Sequence, residues 1–177
     1  MTRPLVGRRA LRAVLIAGLL TASPAAAETR PIEGHESWKL GMTQAMAEAA
    51  EPRAAPRDCD GRTCLHYSDE RFPTAAVEVS ARFTEDGFLD TIVVTMKPQP
   101  GDNRCRRIAA QLAAFYTAAH GETLPLSGVA WMWSEPKASL TLLNHCDGDP
   151  SGDGSPPEEP TINILFEALQ RPGRAPQ

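Results

Sequence analysis

Ala75-Ala76-Val77-Glu78-Val79-Ser80-Ala81-Arg82-Phe83-Thr84-Glu85-Asp86-Gly87-Phe88-Leu89 is the stretch that decides the fold. Val77, Val79, Ala81 and Phe83 alternate with Glu78, Ser80, Arg82 and Thr84, the period of a strand with one buried and one wet face. Glu85-Asp86-Gly87 makes a turn in which Gly87 supplies a positive φ, and residues 88–96 return as the hairpin partner. Pro98, Pro100 and Gly101 end this half of the chain.

Outward from the hairpin the order is a helix and then strands, twice. Upstream, Thr43 caps a run of good helix formers, Gln44–Ala50, which Pro52 and Pro56 stop, and residues 63–68 form a short strand. Downstream, Asp102 or Asn103 caps a helix that Gly121 closes. Cys105, Ile108, Leu112, Phe115 and Ala119 recur along it at steps of three and four, giving an apolar stripe. Residues 129–134, 138–146 and 161–168 are strand candidates. The expected fold is α+β: an antiparallel sheet with two helices on one face, a pseudo-repeat of α-β-β-β within one domain. Its halves are residues 38–98 and 101–169, which share order of elements and little residue identity. Residues 28–37 read as a loose N-terminal arm and 170–177 as a disordered tail.

Gly41-Met42-Thr43, followed by Gln44 and Ala45, opens the first helix, and Phe83-Thr84-Glu85-Asp86-Gly87-Phe88-Leu89 holds the hairpin turn. Over residues 38–96 this resembles the outer-membrane assembly lipoprotein BamE (SmpA/OmlA) and the β-lactamase inhibitor proteins, whose tandem domains share that fold. The resemblance implies a periplasmic binding or scaffold module, not an enzyme. This chain departs from the lipoproteins in having no cysteine to carry a lipid at its cleavage site.

The N-terminus reads as an export signal. Arg3, Arg8, Arg9 and Arg12 precede an apolar run at 13–20, then Thr21-Ala22-Ser23-Pro24-Ala25-Ala26-Ala27. Small side chains at Ala25 and Ala27 suit signal peptidase, so residues 1–27 are expected to be removed. The apolar run falls well short of the roughly 18 residues that span a bilayer. The mature chain, 28–177, therefore carries no transmembrane segment and is expected to be soluble in the periplasm or outside the cell. It retains 14 basic and 22 acidic residues, a net charge of −8. That excess argues against nucleic acid as a partner, because phosphate backbones demand cationic surfaces.

Cys59, Cys64, Cys105 and Cys146 all lie in the mature part, an even count that reads as two disulfides. Cys59 and Cys64 flank Asp60-Gly61, a pair that turns the chain back on itself, so they are expected to bridge. Cys105 and Cys146 then pair by elimination. The rival is a zinc site using His66 or His145, for which a CxxC pair is missing.

Catalytic motifs are absent: His35, His66, His120 and His145 show no HxH or HExxH spacing, and no serine lies in a GxSxG elbow. The acidic loop from Asp147 to Glu158 places oxygen side chains at positions 1, 3, 5, 7, 9 and 12 with glycine at 6. Asp147, Asp149, Ser151, Asp153 and Glu158 have the spacing of a twelve-residue calcium loop, making Ca²⁺ the one cofactor the sequence suggests. Against it stand Gly154 at position 8, Pro156 and Pro157, and strand-like flanks; a solvated Gly/Pro/Ser loop between two strands is the favoured reading. Arg104, Arg106 and Arg107 crowd the first turn of the second helix, where they could meet an anion or pair with nearby acids. Trp131 and Trp133 share one strand face, as core packing or as an aromatic platform. The leading expectation is a non-enzymatic periplasmic binding or inhibitor-like module that recognises a protein or envelope component through one face of its sheet. A calcium-binding exported protein is the alternative, and a hydrolase built from dispersed groups the third reading.

Overall fold

The hairpin at 75–89 forms as its alternation dictates, and a larger sheet than expected grows around it. A computed structural model describes residues 29–59, 61–69, 75–99, 103–127, 129–147 and 159–170. In chain order the elements are β1 (Gly34–His35), β2 (Trp38–Lys39), α1 (Gln44–Ala50), β3 (Ala55–Cys59), β4 (Arg62–Asp69), β5 (Ala75–Phe83) and β6 (Leu89–Pro98). Then come α2 (Arg104–His120), β7 (Leu124–Ser127), β8 (Ala130–Ser134), β9 (Ala138–His145) and β10 (Thr161–Ala168). Eight strands make one sheet in the order β3-β4-β5-β6-β10-β9-β8-β7, every neighbouring pair antiparallel. Each helix precedes a four-strand meander, and the meanders join along β6 and β10.

The α+β class with an antiparallel sheet is thus observed, but each helix is followed by four strands and not three. The unexpected strands, β3 and β7, are the two edges, and each contains a proline: Pro56 and Pro125. Proline lacks the N–H that a central strand must donate, so it signals a break in sequence yet is tolerated at an edge.

One face of the sheet makes the core. Leu65, Val79, Ala81, Ile92, Leu140, Leu142 and Ile162 have no exposed surface, and Val94, Ile164 and Phe166 are 2–3 % exposed. Each of these Val, Leu, Ile and Phe side chains contributes about 1.5–3 kcal/mol of burial. Both helices and the N-terminal arm add to this same cluster, through Ala47, Ala109, Tyr116 and Ile32. In α2 the buried residues are Cys105, Ala109 and Tyr116, whereas Phe115 is 63 % exposed. Cys105, Ile108 and Leu112 of the expected stripe pack on the core, and the departure is at its far end, where Tyr116 points inward in place of Phe115. Tyr116 stays in line with Cys105 and Ala109 at 3.6 residues per turn, and packs on Trp133 and Phe166.

The stretches around Gly41 and Gly87 bind one another. Gly41 N donates to Leu89 O (2.7 Å), Leu89 N to Met42 O (2.7 Å) and Gln44 N to Gly87 O (3.2 Å). Gly87 has φ 78° and Gly41 φ 87°, the left-handed backbone that glycine accommodates. Thr43 caps α1 as expected, its hydroxyl accepting from Met46 N at 3.3 Å. Asn103 occupies the N-cap of α2 but gives it no side-chain hydrogen bond, and its φ is 55°.

The arm is docked rather than loose. Arg30 N donates to Ala119 O (2.7 Å), Ile32 N to Glu135 Oε1 (3.1 Å), and His120 Nδ1 to the Arg30 carbonyl (2.8 Å). Residues 29–37 thus strap the second half of the sheet to Trp38, whose Nε1 donates to Ala47 O at 3.0 Å and fixes α1. Both disulfides form as paired from the sequence, Cys59–Cys64 across the β3–β4 hairpin and Cys105–Cys146 from α2 to the end of β9. No free thiol is left among the described residues, which removes the zinc reading. No helix among them is long and apolar enough to cross a membrane. The signal segment 1–27 and the tail residues 171–177 lie outside the described residues.

Candidate interaction face

Strand alternation puts a second set of side chains on the face opposite the helices. Cross-strand register aligns one row over all eight strands: Leu124, Met132, Thr141, Leu165, Val93, Ser80, His66 and Ala55. Its members from Met132 to His66 are partly exposed, in contrast to the sealed residues that alternate with them. The row is apolar over β7 to β6 save for Thr141, and polar over β5 and β4. Leu143 extends the apolar half, and Thr95 Oγ1 donates to Asn163 Oδ1 at 2.9 Å across the β6–β10 seam.

The polar half is charged. Arg57, His66, Glu78, Ser80, Arg82 and Thr95 line a hollow of about 240 Å³, and Arg62, Arg82, Asp90 and Thr91 line another of about 310 Å³. His66 Nε2 is buried and makes no hydrogen bond among the described residues; Glu78 Oε2 stands 3.8 Å away. This carboxylate is beyond hydrogen-bond reach, so His66 is not held as a catalytic base.

The sheet edges are poorly suited to strand addition. Edge β3 carries Pro56, Arg57 and Asp58 and is closed by a disulfide, and edge β7 carries Pro125 with a register shift beside it. Charge, proline and irregularity are the devices that blunt edges.

The residues singled out from sequence separate widely. Trp133 is 2 % exposed, and Trp131, opposite Leu142, is half-buried against the same core. Both face the helices, so they are packing residues and not a platform. Arg106 pairs with Asp147, its Nε 3.0 Å from Oδ1, and Arg104 reaches Gln99 Oε1 at 3.4 Å; Arg107 is exposed. Of the three arginines Arg106 pairs with an acid, and Asp147, the first residue of the calcium pattern, is engaged by it. Asp149, Ser151, Asp153 and Glu158 lie outside the described residues. Among those described, no group of three His, Cys, Asp or Glu side chains could hold a metal.

Two further features emerge from the packing. Arg53 grips Glu51 through two hydrogen bonds of 2.8 Å and lies 4.6 Å over the Tyr67 ring. The Glu51 carboxylate raises the Arg53 guanidinium further, and burial, helped by nearby carboxylates, raises the Tyr67 hydroxyl. The other is a cleft of about 540 Å³ between the arm and α2, walled by Ile32, Glu33, His35, Phe115, Tyr116 and His120. Burial pushes the Tyr116 hydroxyl at its floor up to about 12.

No protein-family model, curated protein or solved structure matches the chain. Its function rests on its own geometry.

Proposed function

We propose that this protein is an exported, non-enzymatic binding module of the cell envelope that seats a protein partner on the open face of its sheet. The observation that carries this reading is the eight-residue row, apolar at one end and polar at the other, on the face away from both helices. A protein interface combines apolar contact area with polar groups, and this face offers the two side by side. Eight strands at about 4.8 Å spacing give a face roughly 34 Å wide, ample for a patch of about 800 Å² per partner. Two disulfides suit an oxidising compartment, in keeping with removal of residues 1–27 on export to the periplasm. The pseudo-repeat and the resemblance of residues 38–96 to the BamE and inhibitor-protein families support the same class of function.

The test uses residues 28–177 as bait in envelope extract of the producing organism, alongside Leu165→Asp and Ile164→Asp. Leu165→Asp is expected to melt within a few degrees of wild type and to lose the captured protein. Ile164→Asp, adjacent in sequence but 2 % exposed, is expected not to fold. Equal capture by wild type and Leu165→Asp, or nothing above background with wild type, would sink the reading.

A further inference from the structure

Aromatic rings crowd the cleft of about 540 Å³ between the arm and α2. Phe115 and Tyr116 on α2 meet edge to face with centroids 5.3 Å apart, and His120, one turn on, stacks on Tyr116 at 6.0 Å. From the sheet, Phe166 stands 6.4 Å from Tyr116, and His35 of the arm lies 5.9 Å from Phe166. Phe115 leaves 63 % of its surface exposed at the cleft wall. Tyr116 is only 8 % exposed, yet its hydroxyl has no hydrogen-bond partner among the described residues, and burial alone raises it. A buried phenol ordinarily finds such a partner. The rim carries Arg30 and Lys39 against Glu33 and Glu36, two bases and two acids. Lys39 pairs with Glu33 at 3.4 Å, and Glu36 accepts from the Tyr67 hydroxyl at 3.5 Å, so the rim presents no net charge. The walls stand without a ligand: Arg30 is tied to Ala119 O (2.7 Å) and to His120 Nδ1 (2.8 Å), and β1 pairs with β2. A preformed hollow of this size falls within the range of small-molecule sites, about 300–1,000 Å³.

We propose that this cleft binds a small, neutral aromatic compound that carries a hydrogen-bond acceptor. The ring lies among Phe115, Tyr116 and His120, and the acceptor takes the proton of the Tyr116 hydroxyl. A flat ring gains offset or edge-to-face contact with ring walls, which a saturated ring of equal area does not. The Tyr116 hydroxyl keeps its proton up to about pH 12, so it stands ready to donate and calls for an acceptor. An organic cation fits less well, although rings and carboxylates together can hold one: both rim acids are already engaged, and Arg30 and Lys39 stand beside them. A ligand seated here touches the arm and α2 at once, so its binding also stabilises the docking of residues 29–37 on the helix. The site lies on the helix side of the sheet and is independent of the open face.

The probe is acetophenone, a neutral ring with a carbonyl acceptor, titrated into isotope-labelled residues 28–177 with both disulfides intact and followed by amide NMR. Saturable shifts are expected at residues 30–36, 115–120 and 166. Cyclohexyl methyl ketone keeps the acceptor without the aromatic ring and should bind about two- to tenfold more weakly. Tyr116→Phe should weaken acetophenone by a similar factor and leave ethylbenzene, which has no acceptor, unchanged; a merely structural role for the hydroxyl would move both. Phe115→Ser, at a position 63 % exposed, should fold as wild type and bind acetophenone more weakly. Shifts confined to other surfaces, no saturable response, equal affinity for the saturated ketone, or unchanged acetophenone affinity in Tyr116→Phe each overturn the proposal. Tighter binding of phenyltrimethylammonium than of acetophenone overturns it in favour of an organic cation. None of these results bears on the open face, which Leu165→Asp tests separately.

Discussion

Replacing Cys105 and Cys146 together by alanine should cost far more stability than replacing Cys59 and Cys64. The bridges have sequence separations of 41 and 5. In the chain-entropy treatment a loop of the first size contributes about 4 kcal/mol and one of the second about 2 kcal/mol. Local structure widens the gap. The β3–β4 hairpin keeps a ladder of five residue pairs without its disulfide. By contrast, α2 has no backbone ladder to the sheet, and its first buried residue is Cys105 itself, 8 % exposed. Urea unfolding of residues 28–177, followed by tryptophan fluorescence, measures both. With a slope of roughly 2 kcal/mol/M, the midpoint should fall by about 2 M for C105A/C146A and by about 1 M for C59A/C64A. Equal losses, or a larger loss for C59A/C64A, would show that loop length does not govern these bridges.

Two further perturbations have defined signs. The folded Tyr116 keeps its proton up to about pH 12, against 10 for the free side chain. Its contribution is fully present below pH 10 and is lost as the pH rises from 10 to 12, by about 2–3 kcal/mol. Tyr116→Phe should make stability fall less steeply over that window in urea titrations at pH 9 to 11.5; an unchanged slope contradicts the burial argument. Gly34 has φ 145°, and a Cβ there would overlap the carbonyl oxygen of Trp38, whereas a Cβ at Gly87 (φ 78°) meets nothing within 4 Å. Gly34→Ala should therefore cost about 3 kcal/mol or more, and Gly87→Ala about 1–2 kcal/mol. Comparable melting temperatures for the two variants would contradict this ranking.

Much of the fold was legible because its signals are local. Alternation at 75–83, the glycine turn at 87 and the threonine cap at 43 are each written within a few residues. Their backbone hydrogen bonds and φ angles follow from side-chain type. The cysteine pairing was legible for the same reason, since Asp60-Gly61 marks a short hairpin. Edge strands β3 and β7 were hidden by their prolines. The far end of the α2 stripe was misplaced because either aromatic, Phe115 or Tyr116, can sit inward, and only the contacts with Trp133 and Phe166 select Tyr116.

The sequence by itself determined the class of fold, the disulfide pairs and the excess of negative charge, all properties of neighbouring residues or of composition. Which faces are buried was settled only in three dimensions. Trp131 and Trp133 share one face in the sequence, as core packing or as a platform, and β8 turns that face toward the helices. Leu165, Val93 and Met132 look like core, yet register aligns them on the other side of the sheet. The physical reason is that alternation separates two faces but does not name them. A strand's inner side is chosen by what packs against it, here two helices and an arm that join the sheet from one side.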